Sequence, residues 1–354
     1  MDPEKLAALR ARFGAAEASE VQDAEFRKVV DLLFTGKDRR AKPYEGVSSF
    51  LDAPLRLEAA KTGDFSGIDI PLIGVPMDLG VTHRPGSRLG PRAVRGVERI
   101  GPYHEVHRIV PIAEFGVADL GDVPFRSRYS LEQSHADIEA FYRPLAEAGL
   151  RPVSVGGDHS ITLPILKALG AKRPLGMIHI DAHCDTGAPF EGSRFHHGGP
   201  FRQAVLEGVL DPERVIQIGI RGNAEFLWEF SYASGMHVIH AEDFMRLGVD
   251  ETIRRMRAVI GTGPAYLSFD VDSLDPAFAP GTGTPEAGGL SSREAMALIR
   301  GAAGLDLVGG DVVEVAPQYD ATSNTAQAGA QMLFEIVSVV ALALRAQRGR
   351  AAPR

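Results

Sequence analysis

Six acidic or imidazole residues fall in three short runs of this chain, and their types suit divalent cations. One run is Ser268-Phe-Asp-Val-Asp-Ser-Leu-Asp-Pro276, which begins inside the apolar stretch Ala265-Tyr-Leu-Ser-Phe269. That stretch reads as a strand. Asp270 and Asp272 are two apart, so an extended chain points both carboxylates to one face. Two carboxylates aimed at one spot repel, and burying them is costly without a positive partner. A second run, His179-Ile-Asp-Ala-His-Cys-Asp-Thr186, sets Asp181, His183 and Asp185 at the same spacing of two. A third, Gly156-Gly-Asp-His-Ser160, presents His159 after a glycine-permitted turn. Four carboxylates balance the charge of two divalent cations. Mixed oxygen and nitrogen ligands without thiolate favour Mn²⁺, leave Ni²⁺, Fe²⁺ or Co²⁺ open and disfavour zinc. Six ligands serve two ions only if some carboxylates bridge, which holds the ions about 3.5–4 Å apart, as in two-metal hydrolytic sites. Taken singly, each Asp reads as a cap and each His as a core residue. Six together, at three strand ends, read as a site.

Positioning these residues requires strands that end near one another. From Ile70 onward, short apolar runs alternate with helical patterns. The strand candidates are 71–74, 116–120, 152–155, 176–180, 215–220, 237–240, 265–269 and 307–315. The helix candidates are 91–99, 131–148, 162–169, 201–208, 250–260, 291–301 and 325–346. This alternation predicts an α/β fold with three layers and a mostly parallel, roughly eight-stranded sheet. Sites in such folds lie beyond the carboxyl ends of the strands. Three segments are expected: an N-terminal helix and extended arm over 1–69, a catalytic domain over 70–348, and a frayed tail over 349–354. The arm reads as a helix from Pro3 to Leu33, followed by an irregular stretch from Gly36 to Gly67.

The 354 residues carry 38 Lys plus Arg against 46 Asp plus Glu, a formal net charge of −8, which argues against nucleic acid as a partner. Cys184 is the only cysteine, so no intrachain disulfide forms and a reducing compartment is expected. Cys184 is expected to face away from its ligand neighbours and pack. The N-terminus lacks an apolar signal core, and the longest apolar run, Ile336 to Leu344, is too short to span a bilayer. The expectation is a cytoplasmic protein with no membrane partner.

The three runs resemble the signature motifs of the arginase/agmatinase (ureohydrolase) family, in order and spacing, over about Ile70 to the last helix. The continuation Ala277-Phe-Ala-Pro-Gly-Thr-Gly-Thr-Pro-Glu-Ala-Gly-Gly289 and the run Asp311-Val-Val-Glu-Val-Ala-Pro317 resemble its agmatinase and guanidino-acid branch. The resemblance implies one ion held by His159, Asp181, Asp185 and Asp270. It implies a second held by Asp181, His183, Asp270 and Asp272, with Asp181 and Asp270 bridging. A hydroxide between the ions is expected to attack a guanidinium carbon, with Asp185 in hydrogen-bond reach of it. Glu314 is expected to hold the guanidinium, and His197, in Phe195-His-His-Gly198, matches the family's proton-shuttle histidine. The products are urea and an amine.

Substrate residues are less marked. Arg194 could pair with the carboxylate of 4-guanidinobutyrate or 3-guanidinopropionate, Glu191 could meet the amine of agmatine, and His196 could form a pocket wall. Phe190 and Phe195 suit a compact guanidine, and guanidine- and metformin-type hydrolases, some nickel-dependent, share the resemblance. His179 is expected in the core behind Asp181. Asp158 and Asp275 are expected in turns, and Trp228 and Phe230 under a helix. Two other readings remain open: a single-zinc deacetylase-like enzyme, and a non-catalytic subunit. Homo-trimers or hexamers are expected from the family, with pairing of unlike subunits possible.

Overall fold

The structure, a computed structural model, describes residues 1–17, 19–34, 45–98, 100–222 and 225–351. Eight strands form one sheet: β1 (Ile70–Val75), β2 (Val117–Asp122), β3 (Val153–Gly156), β4 (Leu175–Ile180), β5 (Leu210–Ile220), β6 (His237–His240), β7 (Ala265–Asp270) and β8 (Leu307–Val313). Their order is β2-β1-β3-β8-β7-β4-β5-β6, and every neighbouring pair is parallel. All carboxyl ends therefore open on the same edge of the sheet. The four central strands, β3, β8, β7 and β4, are those that end in the candidate chemistry.

Helices cover both faces, because strand side chains alternate and both sides are apolar. Ile178 and Ile180 of β4 pack with the helices Ala241–Ile260, Ser292–Gly301 and Asn324–Ala351. Leu175 and Met177 of the same strand pack with Leu131–Glu147, Thr162–Leu169 and Pro200–Leu206. The three-layer α/β architecture is thus the one the alternation predicts, with the sheet parallel throughout.

Several boundaries differ, each for a local reason. β5 starts at Leu210, earlier than expected, and its pairing with β4 shifts register across the polar stretch around Pro212. β8 stops at Val313 because Glu314 adopts a positive φ of 63°. The expected helix over 91–99 ends at Arg95, before Gly96, and Arg99 lies outside the described residues. The helix Ala241–Ile260 begins earlier than expected and turns at Gly248, whose φ is 73°. Ser291 and Glu294 form a capping box that sets the next helix start.

The last helix runs to Ala351, through much of the expected tail, and residues 352–354 lie outside the described set. By length and composition it could cross a bilayer, contrary to the expectation from its longest apolar run. Yet 78% of its apolar window is buried inside the protein, so that face is spent on the core.

The N-terminal region forms two helices rather than one, Pro3–Phe13 and Ala24–Leu33, capped by Asp2 and Asp23. Part of the irregular arm, residues 35–44, lies outside the described residues. Its later part packs onto the domain. Phe50 is fully buried, and its N–H donates to Asp119 Oδ2 at 3.0 Å. Arg95 stacks 4.0 Å over the Phe50 ring while pairing with Asp119. The stretch around Phe50 is therefore packed against β2 and the helix that carries Arg95.

Candidate active site

His159 enters the site through a turn that only glycine can make: a Cβ on Gly157 would stand 1.6 Å from the Met77 carbonyl oxygen. Beyond the turn, Asp158 caps the short helix His159–Ile161 by accepting the Ser160 N–H at 2.9 Å. The imidazole Nε2 lies 2.8 Å from Ser268 Oγ. The Ser268 hydroxyl donates to Asp311 Oδ1 at 2.7 Å, so its oxygen is left to accept from His159. Asp311 is fully buried and also accepts from Thr162 and Tyr266, at 2.8 and 2.9 Å. This chain fixes the tautomer with the proton on Nε2 and leaves Nδ1 as a lone pair.

That lone pair faces Asp185 Oδ2 at 2.9 Å, Asp181 Oδ2 at 3.0 Å and Asp270 Oδ2 at 3.3 Å. Buried as it is, Nδ1 makes no hydrogen bond among the described residues. When the ring is neutral, a lone pair ringed by three carboxylate oxygens fits a cation. The neighbouring cluster has the same character. His183 Nδ1 lies 3.1 Å from Asp272 Oδ2 and 3.6 Å from Asp181 Oδ1. Asp181 thus turns one oxygen to each histidine. Asp270 turns Oδ2 to His159, while its Oδ1 accepts the Asp272 N–H at 2.8 Å.

The expected origin of this convergence does not hold. β4 ends at Ile180 and Asp185 has a φ of 50°, so Asp181, His183 and Asp185 meet through a turn rather than a pleat. Likewise Asp270 closes β7, and Asp272 sits in the short 3₁₀ turn Val271–Ser273.

The electrostatics call for positive charge. Burial, reinforced by the charges of Asp272 and Asp181, pushes the Asp270 carboxyl well above the usual carboxylate range. Burial also raises Asp272. Burial opposes charging of His159 and His183, yet the surrounding carboxylates hold both well above the ordinary imidazole value. Two groups of side chains could hold a cation, His159, His179, Asp181 and Asp185, and Asp181, His183 and Asp272, with Asp270 facing His159 beside the first.

Beside the cluster lies a cavity of about 180 Å³. Its floor is Asp185, Asp270, Asp272 and His183, and its walls include Glu314, His197, Thr82, Thr284, Glu286, Arg221, Leu227 and Trp228. Glu314 Oε1 accepts the His159 N–H at 3.0 Å and faces His197 Nδ1 at 2.9 Å. Both Glu314 and Asp185 hold positive φ angles, a strain found where side chains must be aimed. Burial alone would lower the His197 pKa, but the bond and charge of Glu314 override it and lift it to about 9.

Two sequence-assigned substrate residues are not brought to the cavity. Arg194 is exposed, pairs with Glu207 and lies 4.9 Å over the Phe195 ring. Glu207, the residue after the helix Pro200–Leu206, supplies that carboxylate. His196 turns Nε2 to the Ala188 carbonyl at 2.9 Å and is absent from the lining. Glu191 is exposed, and Phe195 stacks on His135 at 4.4 Å. Trp228 and Cys184, expected in packing roles, do line the cavity. Cys184 Sγ also donates to the Leu227 carbonyl at 3.2 Å.

His179 stands behind Asp181 as expected, and two residues that the sequence did not mark, Gln217 and Arg221, act beside it. His179 Nε2 donates to Asp181 Oδ2 at 2.7 Å, while Gln217 Nε2 donates to its Nδ1 at 3.0 Å and to the Cys184 carbonyl at 2.6 Å. Gln217 thereby sets the His179 tautomer and aims Asp181. Arg221 donates to the backbone carbonyls of Gly219, Asp272, Ser273, Leu274, Glu286 and Ala287. It staples the exit of β5 to the loop that carries Asp272 and Glu286. The spacing of two between His179 and Asp181 was a usable signal; nothing local marked Arg221.

Comparison with known proteins agrees with this geometry. The model of the Arginase family matches residues 68–338. A protein named guanidinopropionase from Pseudomonas aeruginosa is 49% identical over 309 residues, covering 82% of this chain and 97% of that protein. A guanidinobutyrase from the same organism is 40% identical, covering 84% of this chain and 93% of that protein. The solved proclavaminate amidino hydrolase from Streptomyces clavuligerus superposes with a TM-score of 0.79 at 35% identity, covering 86% of this chain and 100% of that one. The chain belongs to the arginase family, and it is a hydrolase of guanidino C–N bonds.

Proposed function

We propose that this enzyme hydrolyses a guanidino acid, 3-guanidinopropionate before 4-guanidinobutyrate or agmatine, to urea and an amine with two Mn²⁺ per chain. The observation that carries the reading is Asp181, whose two oxygens face His159 and His183 separately, beside a cavity walled by Glu314. The substrate choice is supported by the 49% identity to a protein named guanidinopropionase and by the small cavity, which suits a short chain. Arg194 is not needed in this reading.

His159, Asp181, Asp185 and Asp270 would hold one ion, and Asp181, His183, Asp270 and Asp272 the other. Two bound cations supply a water acidic enough to act as a nucleophile near neutral pH. Glu314 grips the guanidinium by a charge-assisted hydrogen bond and fixes its carbon over the floor of the cavity. Asp185 orients the attacking water. His197 delivers the proton that the departing amine requires, and its raised pKa keeps it charged for that task near pH 7.

Ni²⁺ is the main alternative metal, and a compact guanidine- or metformin-type substrate is favoured only if Trp228 and Leu227 close the cavity to a carboxylate. A cytoplasmic homo-trimer or hexamer is the expected working form, with unlike-subunit pairing as the alternative. A single-zinc deacetylase would need only one of the two clusters.

The deciding experiment is a urea-release screen of 3-guanidinopropionate, 4-guanidinobutyrate, agmatine, arginine, guanidine and metformin, each with Mn²⁺ and with Ni²⁺. Turnover of a guanidino acid with Mn²⁺ is expected. Two tightly bound metals with no urea from any compound would instead identify a non-catalytic subunit.

A further inference from the structure

His197 has no free nitrogen facing the cavity. Nδ1 is engaged by Glu314 at 2.9 Å, and Nε2 is covered by Thr82, whose hydroxyl oxygen lies at 2.7 Å and whose backbone nitrogen lies at 3.1 Å. Thr82 itself is exposed and lines the cavity. The Thr82 hydroxyl is thus in direct contact with Nε2, and both residues line the cavity.

The loop that carries Thr82 is fixed against His197 by more than this contact. The Gly80 carbonyl accepts the His197 N–H at 2.9 Å, and the Gly80 N–H donates to Asp158 Oδ2 at 2.7 Å. A Cβ on Gly80 would stand 2.8 Å from Ser160 Oγ, so the close approach requires glycine. On its far side, Arg84 donates to the carbonyls of Thr282 and Gly283 at 2.7 and 3.0 Å. The loop is pinned before and after Thr82, which keeps the hydroxyl in register with the imidazole.

The two contacts to Nε2 differ in what they permit. An amide N–H only donates, so it suits a bare Nε2. A hydroxyl donates to a bare Nε2 and accepts from a protonated one. Only the hydroxyl can follow the imidazole through both protonation states, and it has the shorter contact.

We propose that the Thr82 hydroxyl relays the proton from His197 to the nitrogen of the departing amine. As the guanidino C–N bond breaks, its electron pair goes to the departing nitrogen. The Thr82 O–H proton moves to that nitrogen, and the His197 Nε2–H proton moves to Thr82 Oγ. Oγ is a hydroxyl before and after, and His197 ends neutral with Nε2 accepting. This inference rests on the reading of His197 as the proton donor.

The test uses the Mn²⁺-loaded enzyme and 3-guanidinopropionate. Thr82→Val keeps the shape and the backbone N–H but removes the hydroxyl, Thr82→Ser restores it, and His197→Asn reports on the donor itself. Thr82→Val is expected to lower kcat by about 100-fold or more, in the range of general-acid effects, with KM and metal content little changed. Its solvent deuterium isotope effect on kcat should grow, and Thr82→Ser should recover most of the rate. A Thr82→Val enzyme as fast as the parent, or a Thr82→Ser enzyme as slow as Thr82→Val, would overturn the relay. If His197→Asn is slow while Thr82→Val is not, the relay alone fails. If His197→Asn is not slow, the donor assignment fails with it.

Discussion

Glu314 Oε1 stands 2.9 Å from His197 Nδ1, so the carboxylate that is to grip the substrate also holds the imidazole that is to protonate the product. The two roles are coupled. In the free enzyme the carboxylate lifts His197 to about 9 against its burial. A bound guanidinium shares that carboxylate and weakens its hold. An acid with a raised pKa is active below that pKa and fails as pH rises through it. The kcat/KM profile should therefore fall through a basic limb near the value for the free enzyme, and the kcat limb should lie lower. In Glu314→Gln the limb should drop further, because burial then acts unopposed. An unmoved limb in that variant would show that Glu314 does not set the His197 pKa.

Asp181 and Asp272 should differ in metal content. Asp181 faces both histidines, whereas Asp272 faces His183 and is steadied by Thr284 at 3.2 Å. Asp272→Asn should keep about one ion per chain and Asp181→Asn substantially less, as a bridging ligand requires. Equal stoichiometry by elemental analysis after dialysis would refute the bridge.

Ser268→Ala removes the acceptor that fixes the His159 tautomer and takes the hydroxyl donor from Asp311 Oδ1, while Oδ2 keeps Thr162 and Tyr266. Metal affinity measured by calorimetry should fall by about 10- to 100-fold, as for other loss of support behind a metal ligand. Affinity equal to that of the parent would mean the lone pair on Nδ1 is set some other way.

Arg194→Ala tests a residue that the sequence marked and the fold set aside. Its exposed pair with Glu207 contributes little, so KM for any guanidino acid should stay within about twofold of the parent. A rise of a decade or more would mean the 187–196 loop swings Arg194 into the cavity on binding.

Arg221→Lys probes the opposite case. No ammonium can reproduce a planar fork that reaches six carbonyls on two loops. A stability loss of about 2–4 kcal/mol is expected from the unpaired carbonyls, together with weaker binding of the ion beside Asp272. Denaturant titration and metal calorimetry would both be needed, and an unchanged midpoint would sink the idea.

The sequence by itself determined a great deal here. Alternating apolar runs fixed eight strands and both helical layers, because a strand buried on two faces must be apolar along its length. The identities of His159, Asp181, His183, Asp185, Asp270 and Asp272 marked the chemistry, because no core tolerates so many ionisable groups for packing alone. What it could not supply was direction. The i, i+2 spacing suggested one strand face, but β4 ends at Ile180 and the ligands converge through a turn with Asp185 at a positive φ. Backbone torsions of that kind depend on the surrounding contacts, not on neighbours in the chain. Arg194 looked like a substrate ligand until Glu207 claimed it, and Thr82, Gln217 and Arg221 looked like nothing. Apart from the Arg221 bond to Gly219, their partners lie 33 to 115 positions away in sequence, and the parallel packing of the strands brings those groups together.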